Sequence, residues 1–246
     1  YLRYYFFIGG MPEAVLSFSQ KRDWKEVSKI QNNILKAYEN DFSKHAPREI
    51  LPRINMVWES IPAQLAKENK KFIYGVIKEW ARAKDFELAI QWLVDSGLLH
   101  KVYNVSKPSL PLAAYKEISA FKLYHNDTGL LCAMTKLNAK TLLNGDAIFT
   151  EFKGALSEQF VFQQLLQNEE IAIHYFTFEN SKYEIDFILQ NENDEIIPVE
   201  VKSGENLKAR SFKLFNEKYK PETAIRLSLT DYHQESWLIN VPLYLL

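Results

Sequence analysis

Two short runs alternate apolar and charged residues with the period of a β-strand. In YEIDFIL, Tyr183, Ile185, Phe187 and Leu189 share one face, and Glu184 and Asp186 share the other. In VEVKSG, Val199 and Val201 oppose Glu200 and Lys202. The polar, acidic stretch QNENDE between the runs reads as a turn, so the two form a hairpin. That hairpin presents an aspartate, a glutamate and a lysine to one side while it supplies an apolar face to a core.

The pattern around the hairpin is regular. After Gly145 a helix is expected over about 150–168, strands near 171–178, 183–190 and 196–202, and a helix over about 208–218. The strands AIRLSL and SWLINV complete it. Before Gly145 the chain reads as mostly helical. A helix opens with Pro12 in its first turn. From Asp23 to about Phe42, apolar residues at Val27, Ile30, Ile34, Tyr38 and Phe42 recur every three or four positions, the stripe of an amphipathic helix. Helices are expected at 48–59, 62–69 and 72–82, and another from about Asp85 to Gly97. The strands LLHKVYNV and SAFKLYHN follow, separated by a Pro-containing loop. In DTGLLCAM, Asp127 is placed to cap a further short helix. The expected class is α/β (α+β), with a helical, winged-helix-like part over residues 1–147 and an αβββαβ domain over 148–246.

The 246 residues, 47% hydrophobic and 14% aromatic, suffice for a sizeable core and make disorder an unsuitable reading. A single cysteine, Cys132, allows no internal disulfide framework and points to a cytoplasmic location. No apolar run approaches the roughly 18 residues of a membrane span. The opening YLRYYFFIGG has neither an initiator methionine nor a signal-peptide layout, so the chain is expected to be the middle of a longer protein. Charge is uneven. Residues 1–147 carry 21 Lys and Arg against 15 Asp and Glu, a balance of +6, and residues 148–246 carry 9 against 16, a balance of −7. A basic front and an acidic back suggest two units with different tasks.

The order helix, three strands, helix, strand resembles the PD-(D/E)XK nuclease superfamily, with an acid on the first helix, Asp on the second strand and Glu-x-Lys on the third. The matching residues are Glu158 in GALSEQFV, Asp186 in EIDF, and Glu200 and Lys202 in VEVKSG. Ile185 stands where the family name has proline. The resemblance covers roughly residues 148–246 and implies a restriction-endonuclease-like domain that cleaves phosphodiesters with Mg²⁺ or Mn²⁺. Magnesium takes oxygen ligands, usually one or two carboxylates plus water and phosphate. Asp186 and Glu200 would hold the ion, Lys202 would act on water or phosphate, and Glu158 would support the site from the helix. Two carboxylates about 4 Å apart repel by roughly 4 kcal/mol at an effective dielectric near 20, a penalty that a bound cation removes.

A second resemblance spans nearly the whole chain. IGGMPEAV, IPAQLAKENKKF, AIQWLVDSGLL, FKLYHNDTGLL, GALSEQFV, EIDFIL and VEVKSG, in that order, resemble the region called domain of unknown function 4143. That family often has Glu-Asn where this chain has Glu158 and Gln159. The resemblance implies a P-loop, AAA-like ATPase module upstream in the same polypeptide. No G-x-x-x-x-G-K-[ST] loop occurs here, so ATP would belong to that upstream part.

Other chemistry has little support. His45, His100, His125, His174 and His233 lack zinc spacing. Cys132 sits in an apolar helix, and no G-x-S-x-G elbow is present. The helix DFELAIQWLVDSG is too acidic to lie in a DNA groove. Lys70, Lys71, Lys78 and Arg82, just before it, are placed to grip a DNA backbone without reading bases. The sequence-level reading is an ATPase-linked, metal-dependent nuclease or nucleic-acid-processing module. The alternative is a non-catalytic regulatory or interaction module that keeps the nuclease fold.

Overall fold

The computed structural model describes residues 1–67, 71–144, 150–178, 183–204 and 210–246. Its first helices are α1 (Leu2–Ile8), α2 (Pro12–Lys21), α3 (Trp24–His45), α4 (Leu51–Leu65), α5 (Tyr74–Ile77) and α6 (Ala83–Asp95). Then come β1 (Leu99–Val105), β2 (Lys116–His125), α7 (Thr128–Met134), α8 (Ala139–Asn144) and α9 (Thr150–Leu165). The chain ends with β3 (Ala172–Thr177), β4 (Glu184–Gln190), β5 (Ile196–Val201), α10 (Arg210–Tyr219), β6 (Ala224–Ser228), β7 (His233–Gln234) and β8 (Leu238–Pro242). No helix among the described residues is long and apolar enough to cross a membrane.

Two compact units result. One comprises Tyr1–Lys101 and Leu123–Gln159, the other Val102–Lys122 and Phe160–Leu246, so the division passes through β1, β2 and α9. The sequence boundary expected at 147/148 lies outside the described residues.

The first unit is helical. Asp23 caps α3 by accepting the N–H of Lys25 at 2.8 Å; of the expected stripe Val27, Ile30 and Phe42 are buried and Ile34 and Tyr38 half-buried, and Leu35 is buried as well. A break expected between residues 59 and 62 is absent, and α4 continues through Pro62. An interior proline costs about 3 kcal/mol. Trp58, Ile61 and Leu65, all buried along that stretch, hold the helix together across it. The helix expected over 72–82 shortens to Tyr74–Ile77. Gln64 grips both backbone groups of Ile73, at 3.0 and 2.9 Å, and Trp80 takes a φ of 65° that a helix cannot contain. Helix α1 went unanticipated because its buried Phe6, Phe7 and Ile8 are consecutive and show no period.

Asp127 is the cap the sequence suggested, and it does more. One oxygen accepts the N–H of Leu130 at 2.8 Å, the other that of Gly10 at 2.7 Å, joining the start of α7 to the end of α1. The approach is close enough that a Cβ on Gly129 would stand 2.6 Å from the Ile8 carbonyl.

The strands form one mixed sheet in the order β2-β1-β3-β4-β5-β6-β8-β7. Pairing is parallel for β1 with β3, β5 with β6 and β6 with β8, and antiparallel for β3 with β4, β4 with β5 and β7 with β8. In the second unit α10 buries Phe212 and Phe215 among Phe176, Phe178, Ile185, Ala224 and Leu238. The class is therefore mixed α/β, with the expected helix–three strands–helix–strand order preserved from α9 onward.

Candidate functional site

The β4–β5 hairpin is the scaffold. Asn191 ties its turn by accepting the N–H groups of Asn193 and Glu195 at 3.0 and 2.9 Å, while Asp194 supplies the left-handed residue with φ 58°. The register runs Gln190↔Ile196, Leu189↔Ile197 and Phe187↔Val199. One step further along that register Asp186 stands opposite Glu200. Directly opposed residues share a face, so the two carboxylates are neighbours on one side of the sheet. Ile185 and Phe187, on the other face of β4, have no exposed surface.

Each charged group has a definite environment. Asp186 Oδ2 accepts the Val201 N–H at 2.8 Å. Glu200 is 3% exposed, and its Oε1 lies 2.7 Å from Lys202 Nζ. Its Oε2 is buried without a hydrogen-bond partner. The Lys202 side chain is 27% exposed. Its backbone N–H donates to the Leu227 carbonyl at 2.8 Å, which fixes the end of β5 against β6. Lys202 thus neutralises one oxygen of Glu200 and leaves the other buried without a partner. Glu184, the remaining acid on this face of β4, is committed elsewhere. Its Oε1 lies 2.6 Å from Lys122 Nζ, and that fully buried ammonium stands 4.8 Å from the Tyr175 ring centre.

The structure adds Arg226, which sequence reasoning missed. Residue Glu200 is its register partner across the parallel β5–β6 pair. No hydrogen-bond partner meets its buried Nε.

Asp186, Glu200 and Lys202 therefore come together in the second unit, and Glu158 belongs to the first. Glu158 is 2% exposed and accepts a short hydrogen bond from the Tyr124 hydroxyl. Its neighbour Gln159 holds the backbone of His125 at both ends, accepting its N–H at 2.9 Å and donating to its carbonyl at 2.6 Å. Lys71, Lys78 and Arg82 are exposed, and Lys70 lies outside the described residues. Between Lys78 and Arg82 the Trp80 side chain is 87% exposed. Cys132 is buried, and that burial pushes its thiol up to about 12, which leaves no thiolate for nucleophilic chemistry.

Among the described residues no group of three or more His, Cys, Asp or Glu side chains is arranged to hold a metal ion. Asp186 and Glu200 offer two. That donor set, with a buried and unmet carboxylate oxygen, fits a hard cation that keeps most of its water shell.

The family model described as Domain of unknown function (DUF8612) matches residues 1–141. The model described as Domain of unknown function (DUF4143) matches residues 153–246, the part that contains the β4–β5 hairpin. No curated protein matches the chain, and no solved structure matches it.

Proposed function

The chain belongs to the family described as Domain of unknown function (DUF8612), a description that assigns no activity, and we propose that its DUF4143-matching part is a divalent-metal-dependent nuclease module. The observation that carries this reading is the buried, unpartnered Oε2 of Glu200 beside Asp186. An unmet buried carboxylate oxygen costs more than the roughly 1–3 kcal/mol of a neutral group, and a cation offsets it. In this reading Asp186 and Glu200 hold Mg²⁺ or Mn²⁺, which when bound supplies Lewis-acid stabilisation of a phosphodiester and a more acidic water. Lys202 orients Glu200 through its ion pair, and with part of its ammonium open to solvent it can also donate to a phosphate oxygen or position water.

The finer architecture belongs to the same proposal. The α9-to-β6 order is that of a restriction-endonuclease-like domain, and the front helices serve as its winged-helix-like companion, although most of β1 and most of β2 join the second unit's sheet. An upstream P-loop ATPase in the same polypeptide would bind ATP and deliver substrate, in the cytoplasm. DNA would reach the basic stretch of Lys70, Lys71, Lys78 and Arg82, with the exposed Trp80 available to stack on a base.

A second reading, a non-catalytic interaction module, is favoured by the Lys202–Glu200 ion pair, which already neutralises one carboxylate oxygen without any metal. Cleavage assays on the full-length protein with ATP and Mn²⁺ separate the two. Lys202→Met should fold and lose cleavage, while Lys220→Met keeps it. Single-stranded, double-stranded and branched substrates that all survive the wild-type protein would hand the case to the interaction module.

A further inference from the structure

Buried polar atoms without a partner are the places where a fold is waiting for something, or tolerating a cost. Among the described residues most belong to neutral side chains: Ser17, Asn126, Ser157 and the ring nitrogens of His125 and His174. Those on ionisable chains of fixed charge are Glu184 Oε2, Glu200 Oε2 and Arg226 Nε. These three residues stand on the adjacent strands β4, β5 and β6. Glu184 already has Lys122. That leaves an acceptor on Glu200 and a donor on Arg226, register partners on one face of the sheet.

Opposite charges at register positions ordinarily pair. These do not: the ion-pair partner of Glu200 is Lys202, and Arg226 forms no ion pair among the described residues. The register neighbour of Arg226 on its other side cannot satisfy it either. Asn240 is 3% exposed and fully engaged. Its Oδ1 accepts from the Ser228 hydroxyl at 2.9 Å, and its Nδ2 donates to Asp231 O and Thr230 Oγ1 at 2.9 and 3.1 Å. Arg226 thus keeps an unmet donor between a fully engaged Asn240 and a Glu200 whose ion-paired oxygen is held by Lys202. Its planar fork matches a phosphate, which offers several acceptor oxygens at once.

We propose that Arg226 is the phosphate-gripping residue of this site, donating to a non-bridging oxygen of a nucleic-acid phosphodiester held beside Glu200. The inference rests on the nuclease reading and names how the substrate's charge is met. Asp186 and Glu200 bring negative charge to the face, and an anionic substrate approaches it only if a fixed cation offsets that charge. A lysine at this position would supply charge without the fork.

The test measures binding rather than turnover. Fluorescein-labelled single- and double-stranded oligonucleotides are titrated by anisotropy into the full-length protein in Ca²⁺ at several salt concentrations. Variants are Arg226→Met, Arg226→Lys and the exposed Lys213→Met. Arg226→Met should weaken binding by about tenfold or more and reduce the salt slope by roughly 0.7–0.9, the loss of one phosphate contact, whereas Lys213→Met changes neither. Arg226→Lys should recover part of the salt slope and less of the affinity. Thermal unfolding without oligonucleotide adds an independent readout. A structural arginine would lower Tm when removed, but one kept for a ligand leaves Tm unchanged or raised, because a buried unmet donor has gone. If the wild type binds and cleaves while Arg226→Met does both equally well, or if Arg226→Met melts well below the wild type, the Arg226 assignment falls and the nuclease reading survives. If the wild type binds no oligonucleotide, both fall together.

Discussion

His125 makes the first unit acid-sensitive, and the size of the effect follows from its surroundings. The ring has no exposed surface, stacks at 5.0 Å from Trp58, and accepts the Asp127 N–H on Nδ1 at 3.1 Å. The proton of the neutral ring therefore sits on Nε2, which has no partner. Burial, with the nearby His100 adding to it, pushes the imidazole down to about 3. In the unfolded chain a histidine titrates near 6.5, so below that pH the unfolded state takes up a proton that the folded state refuses. Stability from this residue is complete above about pH 6.5. It falls by about 1.4 kcal/mol per pH unit between there and pH 3, amounting to about 2 kcal/mol at pH 5 and about 3.3 kcal/mol at pH 4. Urea unfolding followed by tryptophan fluorescence at pH 7.5, 6 and 5 measures it. His125→Asn keeps an acceptor for the Asp127 N–H and removes the titrating group. Its absolute stability should drop because Trp58 loses its neighbour, but its dependence on pH should be shallower by about one proton. His100 and His174, also lowered by burial, keep the residual slope above zero. Equal slopes in wild type and variant, or an imidazole signal for His125 that titrates near its ordinary value, would refute the argument.

Gly129→Ala should cost roughly 1–3 kcal/mol through overpacking, because its Cβ would stand 2.6 Å from Ile8 backbone atoms. By contrast Gly97→Ala meets nothing within 4 Å and should lose only about 1 kcal/mol to its φ of 72°, both being read from urea midpoints at unchanged m. Lys122→Met leaves Glu184, whose side chain is only 18% exposed, without its cation and should destabilise by about 3 kcal/mol, most of it recovered in Lys122→Met with Glu184→Gln. A double-mutant cycle giving no coupling between the two would sink this account. Mg²⁺ or Mn²⁺ at about 100 times its dissociation constant should stabilise the protein by about 2.7 kcal/mol, and Asp186→Asn should abolish most of that gain. Calorimetric traces that do not change with metal in either protein would argue against an ion on Asp186 and Glu200.

What could be read in the sequence was local. Period two and a turn suffice to define the β4–β5 hairpin and to place Asp186 and Glu200 on one face, since both facts concern residues within about fifteen positions of each other. The Asp127 cap needs only three residues. The interactions that were missed join segments far apart in the chain. Lys122 and Glu184 meet from β2 and β4, and nothing in FKLYH alone says that its lysine is buried. The usable clue was a lone cation inside an apolar strand. Arg226 faces Glu200 only because β5 and β6 pair in parallel around α10. That register depends on how the crossover packs, and no single-strand pattern encodes it. The helix expected over 72–82 failed for a related reason, since Gln64 grips Ile73 nine residues away and Trp80 leaves helical space.

In the segment Glu184–Ile185–Asp186 two acids on one strand meet different partners. Both carboxylates lie on one face of β4, two positions apart, and their partners lie on different strands. Glu184 looks toward β2, where its Oε1 finds an ammonium at 2.6 Å while its Oε2 is buried without a hydrogen-bond partner. Asp186 looks toward β5 and finds a backbone N–H and, one register step on, another carboxylate. Replacing a matched buried pair by apolar residues of similar size is often neutral or stabilising, so Lys122 and Glu184 could be exchanged for a plain core without loss of fold. Exchanging Lys122 and Glu184 removes one unmet acceptor, whereas the same exchange at Glu200 and Arg226 would remove one unmet acceptor and one unmet donor, so stability alone would favour it more strongly. A fold that keeps an unmet acceptor and an unmet donor on neighbouring strands gives up stability there. A cation and a phosphate bound together would meet both, and the Arg226 titrations proposed above test that reading.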